Sequence, residues 1–564
     1  MNNLLAEIRV NKKYFVLFLA ILAVGIFLRT YHFHDWLRFS EDEARDAMII
    51  SDAAAGRQPL PLLGPLAGTS EFRLGPGYYY LQYASALIFG NLPEKLAYPD
   101  LFFSILAILL LYLLLKKYFS RNVSLAATAI FSFSFFIIKY SRFAWNPNSA
   151  PFFSMLFLYA FLQLADSKTN RKYLWAVLAG TALGIGVQLH TVFLLVFPLI
   201  FLIASTFGII KKIFSWRLIG VVILAALVFN IPQIVSEAQN RGANTKAFFG
   251  EVLKRDEKGG SVFEKIIPAA SCEMQANVMI TANLASDNRC NYFLQESEKI
   301  RENPVEMTAL EKNYFYFELV IGLIFTLGGY CLIIFYLRRE IDPQKKNFLA
   351  LMLLLGLVSV AVLTPMIEGV YTRFLLSLVA FSFFVLALWA KYLSEKFKKH
   401  PAVFLLFLAI FFAVVNFVQI KKAYTALSAD GTAEENRMES ITLGEEKFLS
   451  DFILRNSDRS RVAYIQGDYA DIFKFIEPAR FFFSSRRPEL AVKVQGDQTE
   501  AEPGASYFFV KMIDRDERRV QMFRQTIDDR GVIDKAMFAR FVIFKLDGPL
   551  AGSDNKQLQK QIGD

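Results

Sequence analysis

Residues 39–82 read FSEDEARDAMIISDAAAGRQPLPLLGPLAGTSEFRLGPGYYYLQ, and the rest of the chain is organised around them. The stretch joins an acidic cluster (Glu41, Asp42, Glu43, Asp46) to a Gly/Pro-rich connector, and then to a second turn, RLGPG, that runs into tyrosines. A polar segment this long and this punctuated is more often functional than filler. It follows an apolar run at 14–28, which Arg9, Lys12 and Lys13 precede and which no small-residue cleavage site follows. That run reads as a signal anchor with a cytoplasmic N-terminus, so the stretch faces outward.

Composition sets the class. The chain has 564 residues, 54% hydrophobic and 15% aromatic, with only 20% charged, which is the balance of a polytopic helical membrane protein. Further apolar runs near 100–115, 123–138, 150–165, 173–187, 191–210, 218–235, 315–337, 347–364, 374–390 and 402–420 bring the expected spans to eleven, an odd count that puts the C-terminus outside. Charge supports the count, because every loop expected inside is basic: Lys116, Lys117 and Arg121; Lys168, Arg171 and Lys172; Lys211, Lys212 and Arg217; Arg338, Arg339, Lys345 and Lys346; Lys391, Lys396, Lys398 and Lys399. The net charge of +10 is therefore a topological signal and not a nucleic-acid footprint. Counting 78–89 as a span would invert most of these loops, so it reads as a juxtamembrane or re-entrant helix. Lys421 and Lys422, at the outer end of the last span, run against the rule.

This reading divides the chain into a seven-helix module at 1–236 with an outer loop at 31–98, a middle outer loop at 237–313, a four-helix membrane part at 314–422, and an extracytoplasmic α/β domain at 423–564. In that domain RVAYIQGD, ASYFFVKMID and FARFVIFKLD read as strands, and DERRVQMFRQTIDDRG as a helical or polar stretch. Cys272 and Cys290 share the middle loop; they pair if it lies outside the cell, or stay as two thiols.

Asp42 and Glu43 come soon after an outward-going span. With Ser40 as N-cap, Asp42 and Asp46 share a helix face and Glu41 is placed to pair with Arg45. A carboxylate at the mouth of an apolar cavity is a candidate general base; the plain alternative is a solvated helix start. Arg73, Lys139, Arg142 and Arg373 fall near the same face, where arginine holds phosphate with two parallel hydrogen bonds or else snorkels toward headgroups. His190, between two apolar runs, is a candidate for phosphate or sugar as well as for a structural bond. His32 and His34 beside Asp35 form only a weak metal pattern. Phosphate-loop, dinucleotide and hydrolase-elbow motifs are missing from any credible strand-turn-helix setting, which leaves ATP-driven and nicotinamide chemistry without support.

Together these pieces resemble the membrane-embedded, lipid-phosphate-dependent glycosyltransferases of the GT-C fold, in the branch of protein O-mannosyltransferases and lipid A aminoarabinose transferases. The resembling features are Asp42-Glu43 after the first span, GRQPLPLLGP, LGPGYYYLQ, SRFAWNPNSAPF, GIGVQLHTVFLLVFP and VYTRFLLSL, in order over about 10–395. The resemblance implies a polyprenyl-phosphate sugar donor, such as undecaprenyl phosphate, and a lipid, glycan or protein hydroxyl as acceptor. It also implies inversion, with Asp42 as essential carboxylate, Glu43 as its neighbour, and Arg73, Arg142, His190, Arg373 and Tyr78 around donor phosphate and sugar. No nucleotide, cofactor or obligatory metal is expected. Where the aminoarabinose branch has a lysine before its turn, this chain has Leu74, with Arg73 one residue earlier. Two other classes compete: a lipid-linked saccharide transporter, and a membrane anchor presenting a binding domain. A transporter would carry charges near mid-span, and an anchor needs far fewer spans.

Overall fold

The apolar runs fold as long helices, since in lipid every backbone group must find its partner within the chain. The computed structural model describes residues 12–68, 70–256, 262–284, 290, 309–397, 399–428, 441–457, 460–467, 469–494, 502–512, 531–539 and 541–549. Among them, nine helical stretches are long and apolar enough to cross a membrane: Lys12–Thr30, Pro93–Tyr118, Asn146–Ala165, Lys172–Leu189, Thr191–Ile210, Lys312–Arg339, Pro343–Ile367, Thr372–Lys396 and Pro401–Thr425. A tenth is the pair Trp216–Phe229 and Ile231–Gln239, bent by 64°. The chain is a multi-pass membrane protein.

The run expected at 123–138 is broken at Ser134 into Arg121–Phe133 and Phe135–Lys139. The break is held by distant partners: Ser134 Oγ donates to the Ile280 carbonyl at 2.7 Å, and the Phe135 N–H donates to Asn416 Oδ1 at 2.9 Å. Neighbouring side chains thus satisfy the freed backbone groups. Close packing elsewhere depends on small residues, since a Cβ at Gly180 or Gly184 would collide with backbone atoms of Val222 or Ala226 on the adjoining helix. Gly77–Phe89 is a 13-residue helix outside the spans, as expected, with Leu87, Ile88 and Phe89 exposed.

Part of the segment expected as a middle outer loop is instead packed into the bundle. Helix Val262–Ala282 buries Cys272, Gln275 and Asn277. Polar groups on the spans receive it: the Tyr330 hydroxyl donates to Glu273 at 2.9 Å, Asn277 Nδ2 to Thr326 Oγ1 at 3.1 Å, and Ser382 Oγ to Asn277 Oδ1 at 2.7 Å. Cys272 and Cys290 form a disulfide, and the Cys290 N–H donates to the Val370 carbonyl at 2.9 Å.

The C-terminal domain carries a five-stranded sheet in the order β2-β1-β3-β5-β4, with β1 Val462–Gln466, β2 Ala491–Val494, β3 Ser506–Met512, β4 Val532–Phe538 and β5 Phe541–Leu546. β1 pairs in parallel with β2 and β3, while β5 runs antiparallel to β3 and β4. The three strands read from sequence are β1, β3 and β5; the last had absorbed the turn at Ala539, where φ is 51°. The helical or polar stretch expected at 516–531 lies outside the described residues, apart from Gly531. Helices Leu443–Asn456 and Tyr469–Arg486 cover one face of the sheet and dock it on the loop that follows the first span. There the Phe39 N–H donates to the Ile441 carbonyl at 3.0 Å, the Leu443 N–H to the Leu37 carbonyl at 2.7 Å, and the Phe39 ring packs on Phe481 and Phe482.

Candidate active site

The acidic stretch folds as helix Glu41–Ala54, with Glu43 reaching back to accept the Ser40 N–H at 2.9 Å. That bond satisfies an orphan donor and fixes where the helix starts. Glu43 is buried and also accepts Arg38 Nε at 2.9 Å and Nη2 at 2.6 Å, which leaves it holding the helix start and not facing a substrate. Burial works against the Arg38 charge, but Glu43 outweighs it and the guanidinium pKa rises.

Asp42 differs. Its side chain is 52% exposed, and its carboxylate accepts Arg45 Nη1 at 2.7 Å. Arg45 therefore pairs with Asp42, three residues before it, where Glu41 had been expected. Through Nε (3.0 Å) and Nη2 (2.9 Å) it also holds Asp46, whose side chain is 3% exposed. The Tyr79 hydroxyl donates to the same Asp46 oxygen at 3.0 Å. Burial pushes the Asp46 carboxyl up to about 6, against the downward pull of Arg45 and Tyr79. One arginine thus bridges an accessible carboxylate and a buried one.

The Gly/Pro-rich connector doubles back. The Gly64 N–H donates to the Leu74 carbonyl at 2.8 Å and the Leu74 N–H to the Pro65 carbonyl at 3.0 Å, so strands of chain on either side of the turn lie together. Leu74 is buried and Arg73 exposed, and the Arg73 backbone is clamped by Asn244, which accepts its N–H at 2.8 Å and donates to its carbonyl at 2.9 Å. The charge missing at Leu74 is thus present one residue earlier. The following turn seats on Gln188, whose Oε1 accepts the Gly77 N–H at 2.8 Å; a Cβ at Gly75 would strike that side chain. Tyr78 is buried, and its hydroxyl accepts Gln82 Nε2 at 2.9 Å. Burial, then Asp100 and Asp46, push its phenol pKa well up.

The segment SRFAWNPNS, residues 141–149, lies against the C-terminal end of the first span. Arg142 is buried and donates to the carbonyls of Leu28 (3.2 Å), Arg29 (2.9 Å) and Tyr31 (2.7 Å), which end the first span. It is a helix-end cap, with a further bond to the Tyr424 hydroxyl at 3.3 Å. Sequence reading had placed it beside a phosphate because nothing local reveals these carbonyls, more than 110 positions away. Asp100, which that reading passed over, is buried and accepts the Trp145 N–H at 3.1 Å and Ser149 Oγ at 2.5 Å. An acid in the first turn of an apolar helix, YPDLFF, was the signal for it.

Arg373 is half-buried at the turn between two spans. Its guanidinium lies over the rings of Tyr371 (4.5 Å) and Trp145 (5.7 Å), and its buried Nε has no hydrogen-bond partner among the described residues. Beside it, His190 is buried at the one-residue link between two spans; its Nδ1 accepts the Val192 N–H at 3.2 Å and its ring meets Phe374. Burial, with Arg373 alongside, holds the imidazole down at about 4, so it is neutral at physiological pH. A chain of contacts joins the two halves of the site: Glu43 to Arg38, Arg38 over Phe143 (4.2 Å), Phe143 stacked on Trp145 (6.1 Å), and Trp145 under Arg373.

His32 and His34 do not form a metal pair: His32 approaches Asp35 at 3.9 Å and His34 approaches Tyr98 at 3.4 Å. No cluster of three or more His, Cys, Asp or Glu placed to hold a metal ion occurs among the described residues.

Residues 74–234 match the family described as dolichyl-phosphate-mannose-protein mannosyltransferase. The crystal structure of ArnT from Cupriavidus metallidurans in the apo state superposes with a TM-score of 0.51 at 11% identity, over 95% of this chain and 98% of that one. The chain has a GT-C-type fold. The same protein bound to undecaprenyl phosphate superposes with a TM-score of 0.48 at 13% identity, with the same coverage. No curated protein matches the chain in sequence. The GT-C resemblance read from the motifs is thus supported by the family match, which begins at the LGPG turn, and by the fold of the apo structure.

Proposed function

We propose that the chain is an inverting glycosyltransferase that moves a sugar from a polyprenyl-phosphate donor to a hydroxyl of a lipid, glycan or protein at the outer face of the membrane. The observation that supports this reading is that an accessible carboxylate, Asp42, and a cation with an unpartnered buried donor among the described residues, Arg373, both stand at the end of the bundle opposite the basic loops, joined only through the Arg38–Phe143–Trp145 contacts. Asp42 takes the proton of the acceptor hydroxyl, whose oxygen forms the new bond to the anomeric carbon. The bond from that carbon to the phosphate oxygen breaks, and its electron pair leaves with the lipid phosphate. Phosphate is a competent leaving group, so no general acid is required; Arg373 and the exposed Arg73 stabilise the charge left on it. Asp46 and Tyr79 act behind Asp42, as positioning residues that fix Arg45. Glu43 and Arg142 hold the scaffold, Tyr78 and neutral His190 line the site, and neither nucleotide nor metal takes part.

The Cys272–Cys290 disulfide and the basic loops together favour a cell-membrane protein with a cytoplasmic N-terminus, whose site and C-terminal domain are extracytoplasmic. The test is transfer of radiolabelled sugar from a panel of polyprenyl-phosphate sugars in membranes holding wild type or Asp42→Asn. Transfer by wild type and its loss in the variant at equal expression is the expected result. Equal transfer by both proteins removes Asp42 as base, and transfer by neither across the panel turns the reading toward a transporter.

A further inference from the structure

At the end of the bundle that carries the basic loops, a concavity of about 350 Å³ lies between the spans Lys312–Arg339 and Thr372–Lys396. Nearer mid-span the two helices are clasped together. A Cβ at Gly328 would strike the Trp389 ring and one at Gly329 the Val385 side chain, while Trp389 Nε1 donates to the Phe325 carbonyl at 3.0 Å. Close approach at small residues is how helices hold one another in lipid. Past this clasp the Tyr336 hydroxyl donates to Glu395 Oε2 at 2.9 Å, across the two helices and in the lining of the concavity.

The lining carries both signs of charge, Arg339 and Lys396 beside Glu340 and Glu395, and the signs do not pair. Arg339 lies over the Phe335 ring at 4.1 Å and Lys396 over the Tyr392 ring at 5.4 Å, and neither forms an ion pair among the described residues. A third cation, Lys391, lies over the Tyr336 ring at 3.9 Å. Glu340 Oε1 accepts the N–H groups of Ile341 at 3.1 Å and Asp342 at 3.0 Å, and Glu395 Oε2 accepts Tyr336. Each carboxylate therefore keeps one oxygen with no hydrogen-bond partner among the described residues. Leading away from the concavity toward mid-span, Leu327, Cys331, Ile334 and Phe335 form an exposed apolar stripe at helical spacing.

We infer that this concavity seats the head of a zwitterionic phospholipid, one that joins a phosphate to a primary ammonium, from the leaflet on the basic-loop side. The phosphate sits at Arg339 and Lys396, the ammonium at Glu395, and an acyl chain runs along the stripe from Phe335 to Leu327. A guanidinium with one face on a ring keeps the N–H groups at its edge for phosphate oxygens. A primary ammonium brings three N–H donors to the open carboxylate oxygens, with the Tyr392 ring alongside. A quaternary ammonium has no N–H to give, and an anionic head leaves the carboxylates without a cation, so a lining of both signs selects against either. Snorkelling to any headgroup accounts for the cations but not for the two carboxylates set among them. The concavity lies at the opposite end of the bundle from Asp42 and Arg373, and its occupant does not rest on the transferase reading.

The test is a native mass spectrometry titration of the full-length, delipidated protein in detergent with phosphatidylethanolamine, phosphatidylcholine and phosphatidylglycerol of matched acyl chains. The first should bind roughly tenfold tighter than either of the others. Glu395→Gln, whose amide oxygen can still accept the Tyr336 hydroxyl, should erase that preference. The double variant Arg339→Ala, Lys396→Ala changes two exposed side chains and should weaken phosphatidylethanolamine by roughly tenfold or more. Equal binding of the three lipids by wild type overturns the inference in favour of annular contact. Binding of phosphatidylglycerol as tight as or tighter than phosphatidylethanolamine overturns it in favour of an anionic-lipid site, and a preference that survives Glu395→Gln or binding unchanged in the double variant overturns it outright.

Discussion

Two turns at the end of the bundle away from the basic loops, 140–149 and 364–378, each present one arginine, and sequence reads the two arginines alike. The structure gives them opposite employment. Arg142 reaches back to the first span and gives its donors to three carbonyls and the Tyr424 hydroxyl. Arg373 lies over two aromatic rings, with a buried Nε that finds no partner among the described residues. A buried donor without a partner costs about 1–3 kcal/mol, and such a cost is tolerated where a ligand supplies the missing acceptor. In the proposed site, a structural arginine would be separated from a phosphate-binding one by whether neighbouring carbonyls have already claimed its donors.

The sharpest way to break this comparison is to remove each charge in turn. Arg373→Ala should lower sugar transfer by roughly 10²-fold or more, as expected when a group that stabilises developing charge is lost. Arg373→Lys should recover part of it, since an ammonium keeps the charge but loses the planar fork. Arg142→Ala should act on the fold instead, stranding carbonyls at the end of the first span, costing about 1–3 kcal/mol of stability and lowering the thermal midpoint. Loss of transfer in Arg142→Ala with the melting temperature unchanged would dissolve the distinction.

A smaller effect is expected one shell behind Asp42. Because burial pushes the Asp46 carboxyl up to about 6, it loses its charge as pH falls through that value and loosens its hold on Arg45. Transfer by wild type should therefore decline below about pH 6, and Asp46→Asn should show no such limb while keeping more activity than Asp42→Asn. A pH profile identical in wild type and Asp46→Asn would remove Asp46 from the site.

The least effect should come from the C-terminal domain. Glu446 is buried there with one oxygen unpartnered among the described residues, and burial holds its carboxyl well above the usual range. Its folded pKa exceeds the unfolded one, so the wild-type fold loses stability as pH rises from the ordinary carboxylate value toward the raised one. Glu446→Gln escapes that loss: the variant should match wild type in acid and be the more stable of the two at neutral pH, as read by thermal unfolding. Greater stability of the wild type at neutral pH would contradict it.

Sequence carried the fold a long way because hydropathy and loop charge are local properties. Apolar run length located the spans, and the basic loops kept 78–89 out of the count. What it missed depends on distant partners. The break at Ser134 is stabilised by Ile280 and Asn416, the helix Val262–Ala282 is drawn into the bundle by Tyr330, Thr326 and Ser382, and β2 is a short strand with little apolar alternation. The acidic helix and its Ser40 start were legible. The separate fates of Asp42 and Glu43 were not, since adjacent helical residues point about 100° apart and only the docked Arg38 shows which one is claimed.

The most direct test of the account is binding of a short-chain polyprenyl phosphate to purified wild type, Arg373→Ala and Arg142→Lys, followed by native mass spectrometry. The account predicts that Arg373→Ala loses most of the affinity while Arg142→Lys, if folded, keeps it. Retained affinity in Arg373→Ala, with loss in Arg142→Lys, would place the donor phosphate at the other turn and contradict the site described here.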